Sequence, residues 1–280
     1  MGAADPGVRI GRSQPPAGQV AGAPAAAATR DRLSRVLPPL VALGGLGALW
    51  QLGGSRDPLV VPPLAGVVRA LVEHSSYFLD NALTTLGEVG VGLGASTAVA
   101  FVLAVAMCEV RALERALMPL AVGLNVTPLV AVAPALVIAF GFGAVPKYVL
   151  TALIVFFPLL VNALAGLKSV DPGVLDLLRT MDASRLEVLV HLRLPSCVPH
   201  LFLAARVCVP LAVVGAVVAE FSAPGSARGL GSVIETAFSQ SDLTTMYAAT
   251  LVLAVLGIAL AGLERAVEHR VVYWRSATLG

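Results

Sequence analysis

Residues 166–199 read GLKSVDPGVLDLLRTMDASRLEVLVHLRLPSCVP, a charged island set between two long apolar runs. Asp171 followed by Pro172 has the form of an N-cap with proline at the first helical position, where the missing N–H costs nothing. That predicts a short helix running to about Met181. Ser184 with Glu187 three residues later is a capping box, so a second helix starts there, runs through RLEVLVHLR and ends near Pro195. Asp182-Ala183 makes the sharp turn between them. The island, about 167–196, is therefore expected as a helix–turn–helix outside the membrane. Its outer face carries Asp176, Arg179, Asp182, Arg185 and Glu187, and Val174, Leu177 and Leu178 supply an apolar face on which a water-soluble partner can dock. A connection without such a role would be shorter, since most run to roughly 4–6 residues.

The chain around the island is built for lipid. Of its 280 residues 57% are hydrophobic and 13% charged, and the mean hydropathy is +0.86. Soluble domains carry roughly 25% charged residues, so there is too little polar surface here to cover a water-soluble globule. The net charge is +2 with no basic run, which excludes a nucleic-acid patch. Cys108, Cys197 and Cys208 have neither pairing nor metal spacing and read as small apolar fillers. Cys197 and His200 form a lone C-x-x-H, too little for zinc.

Six apolar windows stand out, at about 36–54, 89–107, 119–141, 146–166, 198–221 and 246–263. Their lengths approach the ~20 residues a helix needs to cross a bilayer. The first is too long for a signal-peptide core and follows a polar tail. The second can start as early as Ala82, which leaves Glu88 near the outer interface. With the N-terminus inside, the inner segments hold Arg9, Arg12, Arg30, Arg32, Arg35, Arg111, Arg115, Lys168, Arg179, Arg185, Arg193, Arg265, Arg270 and Arg275. The outer ones hold only Arg56, Arg69, Lys147 and Arg228. That bias puts both termini and the island in the cytoplasm.

The tail, 1–35, is rich in Ala, Gly and Pro without an apolar period and is expected to be disordered, leaving 36–280 as the transmembrane domain. Over 62–80, Leu64, Val67, Val68, Leu71 and Val72 share one helical face behind Pro62-Pro63, the pattern of a short amphipathic helix on the outer membrane surface. Tyr273 and Trp274 suit the inner interface. Gly90 and Gly94, and the cluster Gly44, Gly45 and Gly47, are expected where helices approach closely. GVGLG at 90–94 lacks the strand context of a dinucleotide loop. Within the spans Asn125, Thr127, Asn162, Arg206 and Glu220 are the polar candidates for a substrate pathway. Interhelical hydrogen bonding is the alternative for Asn125 and Asn162. Glu220 can cap the outer end of its span, and Arg206 can snorkel or meet an anion. Pro128 and Pro134 should kink the third span.

The island resembles a cytoplasmic motif of the membrane subunits of bacterial binding-protein-dependent ABC importers. That motif reads E-A-A, three residues, G, nine residues, I-x-L-P. Here Asp176-Leu177-Leu178 stands for E-A-A, then Arg179, Thr180 and Met181 as spacers, Asp182 for the glycine, and Leu192-Arg193-Leu194-Pro195 for I-x-L-P. LRTMDAS is similar to the family's A-R-T-L-G-A-S. The stretches VVPPLAGVVRALVE (60–73), PLLVNALAGLKSVDP (158–172) and VVGAVVAEF (213–221) resemble the nitrate/sulfonate/taurine branch, and the likeness covers about 55–275. The departures are the approximate E-A-A and Asp182 in place of glycine.

The resemblance implies an all-α membrane protein of about six transmembrane helices, the type I ABC importer permease fold, in a bacterial plasma membrane. It implies docking on a cytoplasmic ABC ATPase dimer through Asp176, Leu177, Leu178, Arg179, Thr180, Asp182, Ala183, Ser184, Leu194 and Pro195. It further implies a second permease chain, identical or not, and an extracytoplasmic substrate-binding protein. The cargo implied is a small polar solute, a sulfonate, taurine, nitrate or similar anion, with a vitamin or pyrimidine precursor as the alternative. No G-x-x-x-x-G-K-[S/T] loop and no catalytic or metal constellation occurs, and His74, His191, His200 and His269 are scattered. The chain is therefore expected to be no enzyme and to hold no cofactor, with ATP hydrolysed by a separate subunit. A secondary transporter would need paired intramembrane carboxylates or inverted repeats, and the sequence shows neither.

Overall fold

A computed structural model of the chain describes residues 38, 41, 42, 44, 45, 47–54, 61–222 and 228–272. The tail over 1–35, Tyr273 and Trp274 lie outside the described residues, and the first apolar window lies only partly within them. The chain divides into two units, 1–52 and 53–280. Every described residue of the first unit is helical.

The second unit is helical throughout, with no strand among its described residues. In order it comprises α1 (Leu64–Glu73), α2 (Ser75–Glu109), α3 (Arg111–Val126), α4 (Leu129–Phe140) and α5 (Ala144–Lys168). There follow α6 (Pro172–Thr180), α7 (Arg185–Val188) with a π turn over Leu189–Arg193, α8 (Leu194–Ser222), α9 (Leu230–Ser239) and α10 (Leu243–Val271). Among the described residues four helical stretches are long and apolar enough to cross a membrane: α2, α5, Arg185–Ser222 and α10. The pair α3 and α4 makes a fifth if it counts as one broken span.

Helix α5 is the axis of the packing, with α2 on one side and α8 on the other. It buries residues on more than one face, among them Leu150, Val155, Leu159, Leu160, Ala163 and Leu167, as a sandwiched helix must. The contacts are built from small residues, because lipid gives helices no hydrophobic drive to associate. A Cβ on Gly92 would lie 2.6 Å from Thr151 Cγ2, and one on Gly166 would lie 2.9 Å from Cys197 Cα. This corrects the expectation for Gly90 and Gly94, which meet nothing within 4 Å, as do Gly44, Gly45 and Gly47. The close glycine of α2 is the one between them. Cys197 and Cys208 are buried free thiols in this packing.

Three boundaries differ from expectation. The amphipathic helix stops at Glu73 with His74 as its C-cap, and 75–80 belong to α2 instead. The third window is not one kinked span: it breaks at Thr127-Pro128, and α3 and α4 meet at 99°. Pro128 has no N–H to continue the ladder and disfavours helical backbone at Thr127, whereas Pro134 sits inside an unbroken α4. The second island helix does not end near Pro195. It continues through the π turn into α8, so the island and the fifth window form one stretch, Arg185–Ser222. Leu194 N–H bonds the Leu189 carbonyl five residues back. Pro195 can return no N–H at all, and the wider turn keeps its ring off the preceding carbonyls.

Candidate functional site

The island has the local geometry its residues dictate. Asp171 Oδ1 accepts the Gly173 N–H at 2.7 Å, and Pro172 opens α6. At the other end of α6, Ala183 N–H reaches the Leu178 carbonyl and Asp182 N–H the Arg179 carbonyl, both at 3.1 Å. That crossed pair is a Schellman motif. It needs a left-handed residue at its turn, and Asp182 supplies it with φ 55°. Ser184 then caps α7: its hydroxyl accepts the Glu187 N–H, and Glu187 Oε2 accepts the Ser184 N–H at 2.7 Å. Turn, cap and helix together fix the island as a rigid projection.

Its apolar face is broader than expected. Val174, Leu177, Met181, Leu186 and Val190 are exposed, Met181 at 70% and Leu186 at 68%. Leu178 is half-buried, less exposed than Val174 and Leu177 with which it was grouped. Asp176, Arg179, Thr180, Asp182 and Ser184 are exposed, while Ala183 and Leu194 are half-buried. Pro195 lies at the base of the projection, in the first turn of α8. Asp176 and Arg179 pair with each other at 3.1 Å across the outer surface.

At the opposite end of the bundle lies a buried polar cluster that sequence reading missed as a unit. The first N–H groups of a helix have no partner within the helix, and α9 begins inside the protein. Three side-chain acceptors from other helices meet four of these N–H groups in turn. Gly229 N–H donates to Asn81 Oδ1 at 2.8 Å and Leu230 N–H to Thr85 Oγ1 at 2.9 Å. Gly231 and Ser232 both donate to Glu220 Oε2. The Thr85 hydroxyl donates onward to Glu220 Oε1 at 2.8 Å. A carboxylate at a helix N-terminus is also favoured by the helix dipole. Gly229 is required here twice over: its φ is 122°, and a Cβ would run into the Glu220 carboxylate.

Beside Glu220 sits Glu88 of α2. Lys147 of α5 compensates it, donating to Glu88 Oε1 at 2.8 Å and to the Arg228 carbonyl at 3.1 Å. The structure therefore does bring two carboxylates together in the bundle, contrary to the expectation that none pair. Glu88 is not at an open interface: it is 3% exposed, and Lys147 is 2% exposed. The signal available was Asn81, Thr85 and Glu88 at helical spacing on one face of an apolar helix.

The remaining pathway candidates are placed as follows. Glu220, 1% exposed and fully engaged, is a structural acceptor rather than a group facing an open path. Arg206 does not await an anion: its guanidinium holds Glu268 Oε2, with Nε at 3.0 Å and Nη2 at 2.5 Å. Asn162 bonds the Pro158 carbonyl of its own helix at 2.8 Å. Asn125 and Thr127 are exposed at the α3–α4 break, with Thr127 Oγ1 on the Gly123 carbonyl at 2.9 Å. Among the described residues no group of His, Cys, Asp or Glu could hold a metal ion.

Known proteins resemble this chain in sequence. A family model described as "binding-protein-dependent transport system inner membrane component" matches residues 90–273. The formylaminopyrimidine transport permease protein of Halalkalibacterium halodurans is 31% identical over 247 residues, covering 87% of this chain and 98% of that protein. A probable ABC transporter permease protein of Haemophilus influenzae is 31% identical over 81% of this chain and 93% of its own. The taurine transport system permease protein of Escherichia coli is 28% identical over 78% of this chain and 81% of its own. These relatives are transport permeases, and the region the family model matches contains the island, Lys147 and Glu220 of the buried cluster, and every membrane-length helix from α5 onward. The chain is a membrane permease subunit of an ABC importer and belongs to the binding-protein-dependent transport system inner membrane component family.

Proposed function

We propose that this permease works as half of a pair in a bacterial plasma membrane, with the island in the cytoplasm and the Glu88–Lys147–Glu220 cluster at the outer end. Two ABC ATPase subunits dock on the two islands, and a binding protein delivers the solute from outside. The chain itself binds no cofactor. The observation that carries this reading is the exposed apolar face of Val174, Leu177, Met181 and Leu186 on a projection whose backbone is fully capped. A rigid apolar face standing in water is a docking feature. The basic residues clustered at the island end support the orientation. A second chain is supported by Asn125, a polar side chain left exposed at the bend between two apolar helices, where lipid alone would not satisfy it.

For the cargo we infer a small polar heterocycle of the pyrimidine-precursor kind. The relative that this chain covers over 98% of its length is named for formylaminopyrimidine transport, and Arg206, the cation that favoured an anion, is already held by Glu268. The taurine permease at 28% identity supports the sulfonate or taurine alternative. Deletion of the gene, followed by uptake of labelled formylaminopyrimidine and of labelled taurine, separates them. Loss of the first with normal taurine uptake supports the heterocycle. The reverse supports the anion, and unchanged uptake of both would refute either assignment.

A further inference from the structure

Between the inner side of α6 and the ends of the long helices lies a cavity of about 500 Å³. Arg111, Arg179, Arg185 and Arg193 line it, together with Glu109. A second cavity of about 340 Å³ shares Arg111, Arg179 and Arg193 with it and adds Lys168 and Glu114. The two form one basic trough, five cations against two carboxylates. Both carboxylates are already engaged: Glu109 by Arg193 at 2.8 Å and Glu114 by Lys168 at 2.5 Å. Arg179 holds Asp176 on the outer surface. Arg111 and Arg185 have neither a hydrogen bond nor an ion pair from their side chains among the described residues. A cavity walled by unneutralised guanidinium groups concentrates anions.

The trough lies behind the exposed apolar residues of the island, with Arg179 and Ala183 of the docking motif reaching its lining. Successive residues of a helix are ~100° apart, so Leu175 and Arg179, which line the cavity, stand on the opposite side of α6 from exposed Leu177 and Met181. Its floor is the end of α2 at Glu109, and Lys168 closes α5. It therefore sits where membrane-spanning helices leave the bilayer. Planar guanidinium groups converging from several helices match a phosphate, which they bind through paired charge-assisted hydrogen bonds.

We propose that this cavity binds a phosphate group and that the bound phosphate braces the docking helix from behind. The phosphate can belong to an anionic lipid headgroup at the bilayer edge or to a soluble organic phosphate. That the trough faces the cytoplasm rests on the orientation proposed above; its charge and volume do not.

The test uses the full-length permease in detergent, as wild type, as Arg111→Gln/Arg185→Gln and as Arg111→Lys/Arg185→Lys. Native mass spectrometry counts retained phosphatidylglycerol against phosphatidylcholine, and thermal shift reads the response to glycerol 3-phosphate. The wild type should favour one phosphate probe, and the Gln pair should weaken that binding about tenfold or more through loss of two charge-assisted contacts. The Lys pair, keeping charge without the planar fork, should fall between and shows that the loss is not misfolding. Preference for phosphatidylglycerol alone identifies the lipid source, and response to glycerol 3-phosphate alone the soluble one. No response to either, or equal binding by wild type and the Gln pair, overturns the proposal. Neither arm requires ATPase or cargo, so failure here and failure of the importer reading are separable.

Discussion

Asp182 shows how far a single residue can be read. Its family counterpart is glycine, and the short segment between two caps already demanded a left-handed turn. The structure supplies φ 55° there and closes the Schellman pair around it. Asp182→Gly should keep ATPase stimulation and relieve a backbone cost of roughly 1 kcal/mol. Asp182→Val should lower stimulation, because a β-branched residue fits badly at positive φ. The reconstituted complex measures both, and Val outperforming Gly would show that the carboxylate, not the turn, matters. Glu88 and Lys147 were not legible in the same way. Each is an ordinary near-interface charge in its own stretch, and only the packing of α2 on α5 brings them within 2.8 Å. Lys147→Met leaves a buried carboxylate unpaired and should destabilise the protein by about 3–5 kcal/mol. Adding Glu88→Leu should recover most of that loss. Denaturant unfolding in detergent reads the cycle, and additive losses would mean the two residues are not coupled.

At the scale of elements, the sequence declares starts better than ends. Asp171-Pro172 and Ser184…Glu187 mark starts through contacts within four residues, and both caps form. Pro195 looked like a stop but is absorbed by the π turn over Leu189–Arg193, an arrangement that depends on the helix continuing as α8. Pro128 behaved oppositely, producing a 99° bend where a kink was expected. The same residue type therefore breaks, bends or passes according to the packing available on either side. The N-terminus of α9 was not read from its own stretch because its caps come from other helices, Asn81 and Thr85 from α2 and Glu220 from α8. Pro195→Ala restores an N–H to the ladder and should let the π turn relax to α geometry. Removing one residue's worth of register rotates the island helix by ~100° about its axis, so ATPase stimulation should fall severalfold while the protein stays folded. Unchanged stimulation, with spin labels at Ser184 and Lys168 reporting a changed distance, would show that coupling tolerates that rotation.

For the whole molecule, the account requires the island and the start of α2 to face opposite sides of the membrane. Single cysteines at Ser76 and Ser184, in a chain with Cys108, Cys197 and Cys208 replaced, should label from outside and inside respectively. Labelling of both from one side would overturn the orientation. The all-α architecture was legible because lipid forces long apolar helices, and the docking island because a charged stretch between two of them has to serve something. The closeness of α2, α5 and α8 was not, since it turns on Gly92, Gly166 and Gly215 fitting against Thr151, Cys197 and Ile154 rather than on a motif. The central claim is that the exposed apolar face of the island holds the ATPase. Affinity-tagged full-length chain, purified in mild detergent from its own host, should bring down an ABC ATPase in equal amount, two chains of each per complex. Met181→Asp with Leu186→Asp, both on that face, should remove the ATPase while the permease itself purifies intact. Undiminished ATPase with the double variant would contradict the account.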